Sequence, residues 1–111
     1  MQAVVITKPG GPEVLRIQEV REPVPGPEDV LVQVKAAAIN RGDARRREAG
    51  SYEPPIGTRS DILGLDMAGV VLAVGEAVTS LFPGDNVFAL LPGGGYAQRV
   101  AVHHRMAMPI P

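Results

Sequence analysis

Few side chains in this 111-residue sequence could carry out chemistry, and one weak candidate group is a pair of adjacent histidines. His103 and His104 follow directly after the strand-like run "YAQRVAV". Because successive side chains of a strand point to opposite faces, the sequence predicts that the two imidazoles diverge and do not easily share one metal ion. The sequence contains no cysteine, which excludes thiolate chemistry, disulfides and every cysteine-based zinc site.

Two other motifs suggest chemistry only superficially. The triple arginine of "ARRRE" is flanked by Asp43 and Glu48, so we interpret it as a solvated helix face and not as a nucleic-acid site. A net charge of -1 likewise gives no electrostatic reason to expect a nucleic acid or an anionic membrane as partner. The loop "PGGGY" lacks the Gly-x-Gly-x-x-Gly pattern that opens a helix after a strand, so the dinucleotide-binding fingerprint is missing from this chain.

One short helix is predicted to begin after Asn40, which is a favoured N-cap residue. Asp43 stands at the third helical position, where its carboxylate can accept from the cap, and Gly50 is a natural stop. Asp43 is also spaced to pair with Arg47 along the helix. This cap accounts for both residues without catalysis, so Asp43 is interpreted as structural and a further role for Asn40 stays open.

The remaining sequence predicts short strands in a single domain, residues 1–111. Thirteen glycines and eleven prolines separate strand-like runs such as "MQAVVIT", "VLVQVKAAAI" and "NVFALL", which is typical of an all-β fold. No apolar run approaches a membrane span and the start does not resemble a signal peptide, so a cytoplasmic location is expected. The apolar ending "MAMPIP" is expected to continue into a longer parent chain.

The most apolar segment, "LGLDMAGVVLAVG", contains three glycines, Gly64, Gly69 and Gly75. Glycine inside a strand marks a bulge, a bend or the close approach of another backbone or a ligand. A role limited to shaping the fold is favoured for Gly69 and Gly75.

Four motifs in order carry a family resemblance: "AINRGDARRREAGSYEPP", "LGLDMAGVVLAVG", "FPGDNVFAL" and "GGGYAQRVAV". With them the chain resembles the N-terminal catalytic domain of the medium-chain dehydrogenase/reductase superfamily, and more closely its zinc-free, zeta-crystallin-like quinone oxidoreductases. The resemblance implies a mainly β, GroES-like, partly open barrel with one short helix. It also implies a bent strand in which Gly64 and Gly69 allow the bend and Gly75 ends the strand in a turn. Zinc-dependent relatives place Cys where this chain has Asn40 and His where it has Leu65, so a reductase without metal is implied. Asp66 stands where many relatives have Glu.

The resemblance also implies a function. The parent protein would reduce quinones or activated alkenes by hydride transfer from NADPH, with the nicotinamide lying between this domain and a Rossmann domain. Asn40 would present its amide to the nicotinamide or to a quinone oxygen, and Tyr52 would offer a hydroxyl and an aromatic wall. The alternative for Tyr52 is an exposed loop aromatic; Gly64 would lie against the cofactor, and Tyr96 would pack in the barrel. A homodimeric parent is expected.

Because the Rossmann domain is absent from this chain, the isolated 111 residues are expected to be inactive and to bind NADPH only weakly. The competing hypothesis belongs to another class: a free-standing GroES-like module that binds a partner and catalyses nothing. The apolar cleft that faces the missing domain would then serve as the partner surface.

Overall fold

A computed structural model of the chain describes residues 1–50 and 62–111. Its elements in chain order are β1 (Gln2–Ile6), β2 (Leu15–Glu19), β3 (Asp29–Ala36), α1 (Arg41–Ala49), β4 (Asp66–Val74), β5 (Asn86–Leu90), β6 (Arg99–His103) and β7 (Ala107–Pro109). Two single-turn 3-10 helices, Pro12–Val14 and His104–Met106, precede β2 and β7. The predicted mainly β class with one short α-helix is confirmed for the described residues.

The strands form one five-stranded antiparallel sheet in the order β6-β3-β4-β5-β7 and a separate β1-β2 pair. Single bridges join Ala3 to Ala97 and Val5 to Ile62. The pairing of β3 with β4 is irregular at two places, between Leu31 and Val32 and between Val34 and Ala36. Such bulges increase local twist and bend a sheet, and here the sheet curls into a half barrel.

The main core lies inside this curl and follows from alternation along the strands. Val30 and Val32 of β3, Met67 and Val71 of β4, and Val87 of β5 are all buried, while their neighbours in sequence are half-buried or exposed. Each fully buried apolar side chain of this size stabilises the fold by about 1.5–3 kcal/mol. The central sheet is therefore a rigid support for the residues at its ends.

Gly69 sits where β4 crosses the bulged part of β3. A Cβ at Gly69 would lie 2.1 Å from the Gln33 carbonyl oxygen, so only glycine allows the two backbones to approach this closely. Gly75 directly follows the last residue of β4, and a Cβ there would lie 2.2 Å from the Pro27 carbonyl oxygen. Both glycines shape the barrel, as the sequence predicted.

The predicted helix boundaries are confirmed, with Asn40 as N-cap and Gly50 as C-cap of α1. The predicted pair of Asp43 with Arg47 is wrong. Asp43 is buried at 3% exposure and accepts hydrogen bonds from other elements, whereas the Arg47 Nε donates to the Gly10 carbonyl oxygen at 3.1 Å. Contacts with the surrounding loops replace the helix-surface pair.

The predicted solvated face of three arginines is also wrong, because only Arg45 is exposed. The Arg46 Nη1 donates to the Pro92 carbonyl oxygen at 2.9 Å, and the Arg47 side chain retains 17% exposure. The helix is short and packs on two loops whose carbonyl groups point toward it. Arg46 and Arg47 therefore fasten α1 to those loops.

The predicted divergence of the two histidines is wrong as well. The strand β6 ends at His103, and His104 begins the following 3-10 turn, so strand alternation does not extend across the pair. Their rings stack on one side, with centroids 4.8 Å apart and planes inclined by 22°.

Candidate functional site

Asn40 is held between two carboxylates at the end of the central sheet. Its backbone is extended, as an N-cap requires, and its N–H donates to the Asp43 Oδ2 at 2.9 Å. Its side-chain Nδ2 donates to the Asp66 Oδ2 at 3.0 Å. Asn40 thus starts the helix with its backbone while its amide is directed toward β4.

Asp66 is the first residue of β4 and accepts two hydrogen bonds. The second comes from the Ala38 N–H, which lies 2.8 Å from Asp66 Oδ1. The bond from Asn40 and then the bond from Ala38 hold the pKa of the Asp66 carboxyl below its usual value. The group is therefore ionised near neutral pH. Because a carboxylate can only accept, the nitrogen and not the oxygen of the Asn40 amide must face it.

Asp43 lies beneath Asn40 and joins three parts of the chain. Besides the Asn40 N–H, it accepts from the Gly64 N–H at 3.2 Å and from the Tyr96 hydroxyl at 2.6 Å. A buried carboxylate is stable only when it is paired or well hydrogen-bonded, and these three donors satisfy that condition. The structural role predicted for Asp43 agrees with these contacts.

Tyr96 packs between the two smaller apolar clusters of the fold, against Ile62 and Leu63, as the sequence predicted. Burial, and then its bond to Asp43, raise the pKa of the Tyr96 hydroxyl well above its usual range. The hydroxyl therefore stays protonated, and its oxygen also lies 3.2 Å from the Ala38 carbonyl oxygen. Tyr96 is the link between Asp43 and the segment that leads to Asn40.

Gly64 is the contact point between the start of the β4 segment and the glycine loop 93–95. Its φ of +114° is a conformation that side chains rarely adopt, and a Cβ there would lie 2.5 Å from the Gly95 Cα. Its N–H donates to Asp43, and its carbonyl accepts from the Gly95 N–H at 3.2 Å. The close approach that the sequence predicted at Gly64 is thus made by backbone.

An apolar groove of about 580 Å³ opens beside Asp66. Phe88 and Leu90 project from the outer face of β5 and are 41% and 66% exposed. Ala68 of β4 and Met108 of β7 flank Phe88 in the sheet register. Among the described residues Asp66 is the one charged residue lining the groove, whose walls are Ala36, Ala37, Ala38, Met67, Ala68, Phe88, Ala89, Leu90 and Met108.

Of the predicted site residues Asn40, Gly64 and Tyr52, the structure describes the first two. Asn40 lies beside the groove, bonded to its lining residue Asp66, whereas Gly64 is not one of the lining residues and donates to Asp43. Tyr52 lies outside the described residues. The resemblance implies an apolar cleft that faces the Rossmann domain, but Phe88 and Leu90 were not predicted to line a groove, although "NVFALL" places both at outward positions where polar residues are usual.

No helix of the described residues is long and apolar enough to cross a membrane.

Comparison with known proteins gives a consistent family. The sequence model of the family called alcohol dehydrogenase GroES-like domain matches residues 26–111. A quinone oxidoreductase of Sus scrofa is 40% identical over 100 residues, which cover 88% of this chain and 30% of that protein. A trans-enoyl reductase of Aspergillus flavipes is 43% identical over 89 residues, which cover 79% of this chain and 25% of that protein.

Solved structures agree. The quinone oxidoreductase of Escherichia coli, crystallised in complex with NADPH, has a TM-score of 0.84 and 30% identity, covering 100% of this chain and 33% of that one. The chain thus spans about a third or less of the length of these relatives. With its curled antiparallel sheet and the family match over residues 26–111, this chain belongs to the alcohol dehydrogenase GroES-like domain family of the medium-chain dehydrogenase/reductase superfamily and is related to its quinone oxidoreductases.

Proposed function

We propose that the protein containing this chain is an NADPH-dependent oxidoreductase that reduces quinones or activated alkenes by hydride transfer. The observation that carries the proposal is the ionised Asp66, which holds the Asn40 amide at the edge of an apolar groove. The names of the relatives, quinone oxidoreductase and trans-enoyl reductase, support the two substrate classes. The NADPH complex of the Escherichia coli relative supports the cofactor.

The residues of the groove fit a flat, uncharged ring. Its walls are alanine, methionine, leucine and phenylalanine, and one amide and one carboxylate stand at its edge. A nicotinamide or a quinone buries apolar faces and presents polar atoms at its rim, so both match this arrangement. Among the described lining residues there is no cation, so the cofactor phosphates would have to be bound elsewhere.

The bound cofactor would supply the hydride and be left with a cationic ring. Asp66 favours positive charge beside it and disfavours an oxyanion, because its carboxylate is negative. We therefore assign Asp66 to the side of the groove that faces the nicotinamide. Asn40 keeps a second amide proton, which it would donate to the nicotinamide carboxamide or to the substrate oxygen that gains charge.

Tyr52 stays a proposed hydroxyl donor and aromatic wall of the same cleft. Gly64 would act on the cofactor indirectly, because its N–H and carbonyl are both used within the chain. Its close contact with Gly95 fixes the position of the loop that carries Tyr96. The Tyr96 hydroxyl then holds the Asp43 carboxylate beneath Asn40 by a hydrogen bond. We propose that the isolated 111 residues are inactive and that the parent is a homodimer containing a Rossmann domain.

A binding module without catalysis is the second candidate, and the exposed Phe88, Leu90 and Met108 favour it. Exposed apolar side chains grouped on one sheet face are typical of a surface that another protein or domain covers. In that case no form of the protein would oxidise NADPH.

The deciding experiment measures NADPH oxidation by the full-length protein with a simple quinone and, separately, with an enone. Asn40→Ala should lower kcat about 100-fold or more, since the loss of one donor to developing charge typically costs about 100- to 1000-fold. Asn86→Ala, which removes an exposed amide from the start of β5, is the matched control and should leave kcat unchanged. Oxidation that is equal in both variants would refute the role of Asn40, and no oxidation in any form would favour the binding module.

A further inference from the structure

We propose that Glu28, His103 and His104 form an exposed binding site for a divalent cation of the Zn²⁺ class. One ligand atom from each side chain lies within 4.8 Å of the other two. Two imidazoles and one carboxylate are a donor set that Zn²⁺ takes with three protein ligands and water in the fourth position. The site lies at the start of β3, whereas Asp66 and Ala38 lie beyond its other end, so it is independent of the groove.

Backbone pairing fixes the three residues before any metal arrives. The register of β3 and β6 pairs Asp29 with His103, and the next bond joins the His104 N–H to the Glu28 carbonyl oxygen at 3.0 Å. The ladder therefore continues one residue beyond the strands. Only side-chain torsions remain to be ordered when a cation binds, which lowers the entropic cost.

The distances are near those of a zinc site. Two ligands of a tetrahedral Zn²⁺, each about 2.1 Å from the ion, stand about 3.4 Å apart. The Glu28 Oε2 and the His103 Nε2 are already 3.3 Å apart. The rings of His103 and His104 are nearly parallel, so one ring must rotate for the two lone pairs to converge. The side chains of His103 and Glu28 are 39% and 64% exposed and leave room for that rotation.

Metal binding has a specific structural consequence at Arg105. Its N–H donates to the His103 Nδ1 at 3.2 Å, so the proton of the neutral ring sits on Nε2, which faces Glu28. A cation on Nε2 requires that proton to move to Nδ1, which then can no longer accept from Arg105. Binding should therefore break the Arg105 hydrogen bond and shift the amide signal of that residue.

The test is a titration of the purified protein with ZnCl2, followed by calorimetry and by proton–nitrogen correlation spectra of the imidazoles. This chain contains two histidines and no cysteine, so both of its imidazoles belong to the cluster. We expect one saturable Zn²⁺ equivalent at this site, shifts of the ring nitrogens of His103 and His104, and a shift of the Arg105 amide. MgCl2 should have no such effect, because Mg²⁺ prefers oxygen ligands.

Variants locate the site. His103→Gln, His104→Gln and Glu28→Gln should each weaken the binding about tenfold or more, since the loss of even an outer partner costs a metal site about that much. Glu76→Gln, an exposed carboxylate after β4, is the matched control and should bind as the unchanged protein does. Thermal midpoints without Zn²⁺ show whether each variant is folded.

Three results would overturn the proposal. One is the absence of saturable binding. Another is binding that survives both histidine variants, which would place the cation elsewhere. The last is a shift of the His103 ring nitrogens without a shift of those of His104. That result would show a change only in the ion pair of His103 with Glu28.

Discussion

Replacing Gly64 with alanine should destabilise the protein strongly. The φ of +114° is strained for any residue with a side chain, at a cost of about 1–3 kcal/mol. The new Cβ would lie 2.5 Å from the Gly95 Cα and 2.6 Å from the Tyr96 nitrogen. Both neighbours are backbone held by hydrogen bonds, so relief of the overlap adds about 1–3 kcal/mol. The expected total is about 2–6 kcal/mol, a large part of the about 5–15 kcal/mol that stabilises most domains.

Gly84→Ala is the matched control for this experiment. Gly84 also has a positive φ, +95°, but nothing lies within 4 Å of a Cβ built there. It should therefore show the conformational cost alone, and the two variants should differ by about 1–3 kcal/mol. Urea unfolding of each purified variant, followed by circular dichroism, gives the free energies of unfolding.

Equal destabilisation in the two variants would refute the close contact between Gly64 and the glycine loop. Little destabilisation of Gly64→Ala, combined with a weaker affinity for NADPH in the full-length protein, would indicate instead that Gly64 contacts the cofactor directly. A large loss of stability supports the structural account, in which Gly64 seats the loop that carries Tyr96.

Three further variants test the hydrogen bonds and charges of the carboxylates of Asp43, Glu22 and Asp66. Tyr96→Phe should cost about 1.5–3 kcal/mol in urea unfolding, because the buried Asp43 carboxylate loses its shortest hydrogen bond. The hydrogen bond from Arg99 is the main cause that lowers the pKa of Glu22 to about 2. The ionised carboxylate therefore stabilises the fold fully above pH 4.5, and this contribution is lost as the pH falls toward 2. Thermal midpoints of Glu22→Gln should change less over that pH interval than those of the unchanged protein. Asp66→Asn should lower kcat for NADPH oxidation more than it changes KM, whereas an equal rate would refute the proposed charge effect.

The strands and the helix could be predicted because their signals are local. Alternation places Val30 and Val32 on the buried face of β3, and the Asn40–Asp43 spacing sets the start of α1. The expectations that failed concern the arginines of α1 and the two adjacent histidines. Arg46 and Arg47 bond to carbonyl groups of distant loops, and the two histidines stack where β6 ends. A pattern within one element shows neither the distant carbonyl groups that the arginines contact nor the residue at which a strand ends.

The sequence by itself determined the mainly β class, the one short α-helix of the described residues, the absence of thiol chemistry and the family. These follow from composition, alternation and ordered motifs, which depend on near neighbours in the chain. The tertiary structure decided which residues meet: Asn40 with Asp66, Asp43 with Tyr96, and Glu28 with His103. A carboxylate bonds to whichever donor the folded backbone brings within about 3 Å, and that distance is set by sheet register and loop packing and not by spacing along the chain.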